Sequence, residues 1–341
     1  MTFKLKIQHS LKAMKIFLAV ALFALFSGCP FFNGDYNFEY NTIVGFSPVN
    51  LAEINTEYDD FNSDLPFDGR RQSIYFSSNR NSSGENFDFI FKNIDVSYHE
   101  KDDVVDFDLS AGEFHEFDKK LLALVNTEAD QLGPFFVEGL KGTNYFFYAE
   151  NDSGNFNIKV IHTPRLDWGT YNAQKRLFGP VNLNGINSES DDYYPTLNQE
   201  CTQMWFCSNR ENGQFDIYTL QLNPEEYLYD YLNKTDLAIA REETLSGDSD
   251  DKCPIIFGEF MIFTSNRSAG FGGFDLYYSK RVNNRWTTPV NFGPKINSSA
   301  DEYRPFPFYI GDKPVMIFSS NRTGGKGGFD LYAVRINELI E

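Results

Sequence analysis

The chain has 341 residues, with 30 Lys and Arg against 48 Asp and Glu, for a formal net charge of −18. That balance excludes a nucleic-acid binder, which needs a basic footprint, and electrostatic docking on anionic lipid. Hydrophobic residues at 41% suffice for a core and exclude global disorder, and 17% aromatics lean toward strands.

The first element is a targeting segment. Lys4, Lys6, Lys12 and Lys15 make a positive start, and residues 16–26 form an apolar run too short to cross a bilayer but suited to a signal-peptide core. The run ends in Phe26-Ser27-Gly28-Cys29, which resembles the lipobox of bacterial lipoproteins. The resemblance implies cleavage before Cys29, diacylation of its thiol and acylation of the new amino group. The alternative is an ordinary secretory signal with an incidental cysteine. Met14-Lys15 opens a well-formed signal by itself, so Met14 is a second candidate start. Residues 1–28 are therefore expected to be a signal peptide, 29–35 a tether and 36–341 the folded domain. Pro30 rather than Asp after the cysteine implies, by analogy with lipoprotein sorting, the outer membrane of a bacterial envelope, on its periplasmic or surface face. Membrane contact is then expected through the anchor only.

Beyond the anchor, Cys201, Cys207 and Cys253 allow at most one intramolecular disulfide. There is no C-x-x-C and there are four His, so no zinc site is expected.

The rest of the chain is a repeat built from three signatures. The first is Pro-Val-Asn followed by Ile-Asn: Pro48-Val49-Asn50 with Ile54-Asn55, Pro180-Val181-Asn182 with Ile186-Asn187, and Pro289-Val290-Asn291 with Ile296-Asn297. The second is Asp-acid-x-x-Pro: Asp191-Asp192 to Pro195, Asp250-Asp251 to Pro254 and Asp301-Glu302 to Pro305, with looser copies at Asp59-Asp60 and Asp130-Gln131. The third is an apolar run into Ser-Asn-Arg, a polar loop and Phe-Asp. Its copies end at Arg80 and Asp88, Arg210 and Asp216, Arg267 and Asp275, and Arg322 and Asp330. A weaker copy runs through Asn151-Asp152 and Phe156-Asn157. The five Asn positions, 79, 151, 209, 266 and 321, stand 72, 58, 57 and 55 residues apart.

Short apolar runs bounded by polar loops predict buried strands, and the glycines between Ser-Asn-Arg and Phe-Asp permit a hairpin turn. Units of 55–72 residues with several strands each predict propeller blades. Residues 98–120 are expected to loop out of the first blade, and residues 224–243 to hold a short helix, with Pro and acids at its start. The fold class is all-β: a β-propeller of five blades, six being the alternative, closed by an N-terminal strand. Residues 36–46 are the expected closing strand, pairing the edge left open by the last blade.

The Ser-Asn-Arg to Gly-Gly-Phe-Asp-Leu-Tyr pattern resembles the WD-like β-propeller repeats of TolB-type proteins, over residues 48–336. Those repeats also occur beside OmpA-type peptidoglycan-binding domains, and none follows here.

Repetition argues against catalysis by the repeated residues, since a catalytic group occurs once. The expected job is an Arg–Asp brace within each blade: Arg80–Asp88, Arg210–Asp216, Arg267–Asp275 and Arg322–Asp330. In the second blade Asp152 and Asn157 stand at these positions, so both partners are lost together, as an unpaired buried charge would demand. The paired acids before each Pro are expected to cap turns by accepting backbone N–H bonds, with calcium binding as the alternative. No nucleophile elbow, zincin motif or phosphate loop is present, and no cofactor or metal is expected. These readings predict a non-catalytic envelope lipoprotein, not an enzyme, whose propeller binds an envelope protein or cell-wall partner. The alternative is a carbohydrate-active enzyme or glycan-binding module using the central cleft.

Overall fold

The computed structural model describes residues 40–66, 72–111, 116–140, 143–151, 154–163 and 176–336. The signal segment, Cys29, the tether and Asp152 lie outside the described residues.

Five antiparallel sheets surround one axis. The innermost strand of each carries the Asp-acid signature: Asp60–Asp64, Asp130–Leu140, Asp192–Leu197, Asp251–Phe257 and Glu302–Ile310. These five strands touch in cyclic order, the last against the first. The second strands are Gln72–Ser78, Thr143–Asn151, Gln203–Ser208, Phe260–Ser265 and Lys313–Ser320. They are the apolar runs read from sequence. Met316, Ile317 and Phe318 are buried together because each face of a blade packs on a neighbouring blade. The third strands, Asp88–His99, Phe156–His162, Asp216–Gln221, Asp275–Val282 and Asp330–Arg335, start at Phe-Asp, or at Phe156-Asn157 in the second blade.

The blade count is five, and an N-terminal strand closes the ring, but not the expected one. Val49–Asn50 pairs with Asp330–Arg335 in the last blade, Val49 opposite Ala333 and Asn50 opposite Tyr332. The Pro-Val-Asn signature is thus itself the outer strand; Val290–Asn291 does the same on Asp275–Val282. The segment before it goes elsewhere. Thr42–Val44 pairs with Val104–Leu109 as a fifth strand of the first blade. Side-chain amides lock this register. Asn50 Nδ2 donates to Asp330 at 2.7 Å. The buried Asn55 brackets Leu331, accepting its N–H and donating to its carbonyl, each at 2.9 Å. Asn187 brackets Ile158 and Asn297 brackets Leu276 in the same way, so the closing junction uses the same chemistry as internal ones.

One other expectation is corrected, and the short helix expected within residues 224–243 is found. Residues 98–120 are not a loop. They complete Asp88–His99, return as Val104–Leu109, and begin a helix, Glu116–Val125, beyond residues 112–115, which are outside the description. Val105 and Phe107 point inward while the alternating Asp residues lie on the other face, the period of two of a half-buried strand. Within residues 224–243 only Leu228–Leu232 is helical, and Ala240–Arg241 is the outer strand of the third blade. Cys201, Cys207 and Cys253 are free thiols.

Replacing Asn55 with Leu should leave the Leu331 amide buried without a partner, its carbonyl keeping the Leu51 N–H, and cost about 1–3 kcal/mol. Urea unfolding checks this; an unchanged midpoint would show that the bracket does not hold the ring.

Candidate functional site

The repeated polar residues all lie at one end of the ring, where each outer strand hands over to the next inner strand. Their partners differ from the expected ones. Arg80 pairs with Asp60, Arg210 with Asp192, Arg267 with Asp251 and Arg322 with Glu302, at 2.5–2.9 Å. Each acid side chain is fully buried and each Arg largely so. The Arg also donates to the carbonyl of Ile54, Ile186, Leu245 or Ile296, and its guanidinium lies over the ring of Phe76, Phe206, Phe263 or Phe318. The geometric reason is register: Asp60 lies opposite Ser78, two residues before Arg80. The same acid accepts a backbone N–H from Thr56, Ser188, Gly247 or Ser298 four residues earlier, so it caps a turn as well.

The aspartates of Phe-Asp do other work. Asp275 and Asp330 accept two backbone N–H bonds each from the glycine-rich loop and one from Asn291 or Asn50. Asp216 pairs with Arg241, and Asp88 accepts from Asn81. In the second blade Gln131 stands in place of the buried acid, and Lys159–Glu150 forms a different buried pair at 3.1 Å.

The first acid of each pair staples neighbouring blades. Asp130, Asp191, Asp250, Asp301 and Asp59 accept the backbone N–H of Phe87, Phe156, Phe215, Phe274 and Phe329 from the preceding blade, at 2.7–3.0 Å. Among the described residues no group of three or more His, Cys, Asp or Glu is placed to hold a metal ion.

Each staple fixes a phenylalanine at the mouth of the central channel. The second residue of each inner strand stands between these rings, giving a girdle that sequence reading missed. Phe61 meets Phe87 at 4.8 Å and Phe329 at 5.8 Å between ring centres. Tyr303 meets Phe329 at 6.4 Å and Phe274 at 5.4 Å. The Lys252 ammonium lies 3.9 Å from the Phe215 ring and 5.4 Å from that of Phe274. Tyr193 meets Phe215 at 5.4 Å and Phe156 at 4.8 Å. Leu132 holds the matching register in the second blade. Except for the more deeply buried Phe215, these side chains are half-buried.

Beneath the girdle the channel is plugged. Each inner strand bulges one residue later, at Asn62, Gly133, Tyr194, Cys253 and Arg304, with φ between +47° and +62°. Four of these five are not glycine, so the backbone is held in a costly region that turns the side chain toward the axis. The contacts confirm the direction, because they join blades that are not neighbours. Asn62 Nδ2 donates to the Tyr194 hydroxyl at 3.2 Å, and the Arg304 guanidinium lies 5.1 Å from the centre of the Tyr194 ring. Arg304 Nη2 donates to the Pro134 carbonyl at 3.0 Å. Gly133 makes room: a Cβ there would overlap the Tyr194 ring. Asp64, a non-repeated buried carboxylate of the first inner strand, accepts the N–H of Phe136 at 2.9 Å. The site is therefore an aromatic rim above a polar floor, with a ring of half-buried aspartates outside it.

No protein-family model matches the chain, and no curated protein matches it by sequence. Solved structures do. The chain is similar to an endo-arabinase from Bacteroides thetaiotaomicron, with a TM-score of 0.51, 12% identity, and coverage of 86% of this chain and 97% of that one. A protein of unknown function from Dyadobacter fermentans gives 0.49 at 7% identity, covering 86% and 83%. An α-L-arabinofuranosidase from Podospora anserina gives 0.48 at 8% identity, covering 85% and 94%. At such identities the likeness is one of fold. It corrects the expectation of a non-catalytic TolB-type scaffold that is not an enzyme, since the five-bladed plan found here is shared with an endo-arabinase.

A double-mutant cycle separates the two pairings of Arg322. Arg322→Met with Glu302→Gln should show a coupling of about 1–3 kcal/mol by chemical denaturation, and Arg322→Met with Asp330→Asn a smaller one. The reverse order would restore the pairing within Ser-Asn-Arg to Phe-Asp.

Proposed function

We propose that the chain is a carbohydrate-active β-propeller that takes a glycan at the mouth of its central channel. The observation that carries the reading is the girdle of Phe61, Phe87, Phe156, Phe215, Phe274, Phe329, Tyr193 and Tyr303. The C–H faces of a sugar ring are apolar and its rim is hydroxyl-rich. A rigid set of half-exposed aromatic rings edged by carboxylates matches both halves of that surface. The fold likeness to an endo-arabinase is in keeping with this class of ligand.

The chemistry favours a neutral glycan. The chain carries −18 overall, and Asp59, Asp130, Asp191, Asp250 and Asp301 stand around the girdle, so a uronate polymer would be repelled. Hydrolysis needs two carboxylates flanking the scissile bond, and this ring of aspartates is where a bound sugar would find them. The repeat signatures keep their resemblance to TolB-type repeats. The lipobox-like Phe26-Ser27-Gly28-Cys29 supports a lipid anchor at the outer membrane, from which the propeller would face a cell-wall or environmental glycan.

Affinity electrophoresis against arabinan, galactan and xylan, with polygalacturonate as the acidic control, tests the reading. The protein should be retarded by at least one neutral polymer and not by polygalacturonate. Phe274→Ala should weaken retention about tenfold while melting close to the parent, and Tyr303→Ala, which also opens the packing on Tyr194 and Cys253, should weaken it as much and melt lower. Reducing-sugar release from the retained polymer reports catalysis. Retardation by none of the neutral polymers, or retardation indifferent to both substitutions, would contradict the reading.

A further inference from the structure

The plug under the girdle holds a cation without a counter-charge. Arg304 is fully buried, at 0% exposure, and among the described residues it makes no ion pair. Of its five N–H donors, only Nη2 finds an acceptor, the Pro134 carbonyl, and Nε and Nη1 find none. The other buried Arg residues of this end are matched one to one with Asp60, Asp192, Asp251 and Glu302. The groups packed on Arg304 are neutral. Burial holds the Tyr194 and Tyr303 phenols well above their ordinary range and pushes the Cys253 thiol up to about 12. None of them supplies the missing negative charge at any pH the fold would meet.

An unpaired guanidinium in a site shut off from water is costly, and such charges are normally paired or neutralised. A second orphan stands in the same plug: Asn62 Oδ1 is buried and accepts nothing. The two ends of a carboxamide are assigned from the hydrogen-bond network. Turning the amide over would let Oδ1 accept the Tyr194 hydroxyl proton and free Nδ2 to donate. The plug would then hold three unused donors, Arg304 Nε and Nη1 and Asn62 Nδ2, on two side chains that both meet Tyr194.

We propose that the axis of the propeller is a binding site for one small monovalent inorganic anion of chloride size, held by Arg304 and Asn62 beneath the aromatic mouth. The anion completes the plug that joins blades one, two, three and five. It acts as a structural ligand, and the assignment is independent of what the mouth binds.

Thermal melting of the full chain tests this, with chloride varied against gluconate, which is too large to enter, at constant ionic strength. The parent should gain about 5 °C in a saturable manner as chloride replaces gluconate. Arg304→Met, of similar reach but uncharged, should lose the dependence. Asn62→Asp supplies a carboxylate from within, and should melt in gluconate as the parent does in chloride. Diffraction from crystals grown in bromide gives a direct view: an anomalous peak beside Arg304 is expected. Equal melting of the parent in both salts, the same chloride dependence in Arg304→Met and Asn62→Asp as in the parent, or a site holding only water would each overturn the assignment.

Discussion

One hydrogen bond, repeated five times, carries the ring: the N–H of a mouth phenylalanine, donated to the first acid of the next inner strand. A propeller blade cannot cover its own two faces, so its stability lies in the contact with its neighbours. The staple sets the rotation between blades, and the last copy, Phe329 to Asp59, makes the rotation close. Every other repeated polar group serves this junction. The buried Arg–acid pair ties the inner strand to the second strand, and the asparagine bracket ties the incoming connection to the third.

Because the Arg-paired acids are buried in the junction, among the described residues only the half-buried staple aspartates leave a carboxylate at the rim, and recognition has to come from what lies beside them. Two surfaces are left. The girdle is a by-product of stapling: fixing five phenylalanine amides at the axis also fixes five rings there. The plug is the part of the axis that does not repeat. Asn62, Gly133, Tyr194, Cys253 and Arg304 share one backbone conformation and five different side chains. Such variation on a constant backbone is what a site adds to a scaffold.

The repeat, the blade count and the presence of an N-terminal closing strand were legible, because three separate signatures recur in one order at near-constant spacing. The Arg partner was misread for a physical reason. Asp88 is close to Arg80 along the chain, whereas Asp60 is close to it across the sheet, and register between strands is not visible in local spacing. The closing strand was misplaced because Pro-Val-Asn was taken as a lead into the blade when it is the outer strand of the blade before. The inward bulge was hidden by Tyr194, Cys253 and Arg304, residues that do not announce a positive φ. The one local signal was Gly133 before Pro134 in the same register. The strand Val104–Leu109 was lost under its acids, although its alternation was present. The role of the mouth was misjudged because a rim of aromatics from eight separate positions has no linear motif.

The central claim is that a neutral glycan sits on this aromatic mouth. A crystal structure of the protein with an oligosaccharide of the polymer that retards it tests that claim most directly. The account predicts a sugar ring stacked on the Phe274–Tyr303–Phe329 side of the rim, with its hydroxyls toward the flanking aspartates. A sugar bound on the opposite end of the propeller, with the mouth left to solvent, would contradict it.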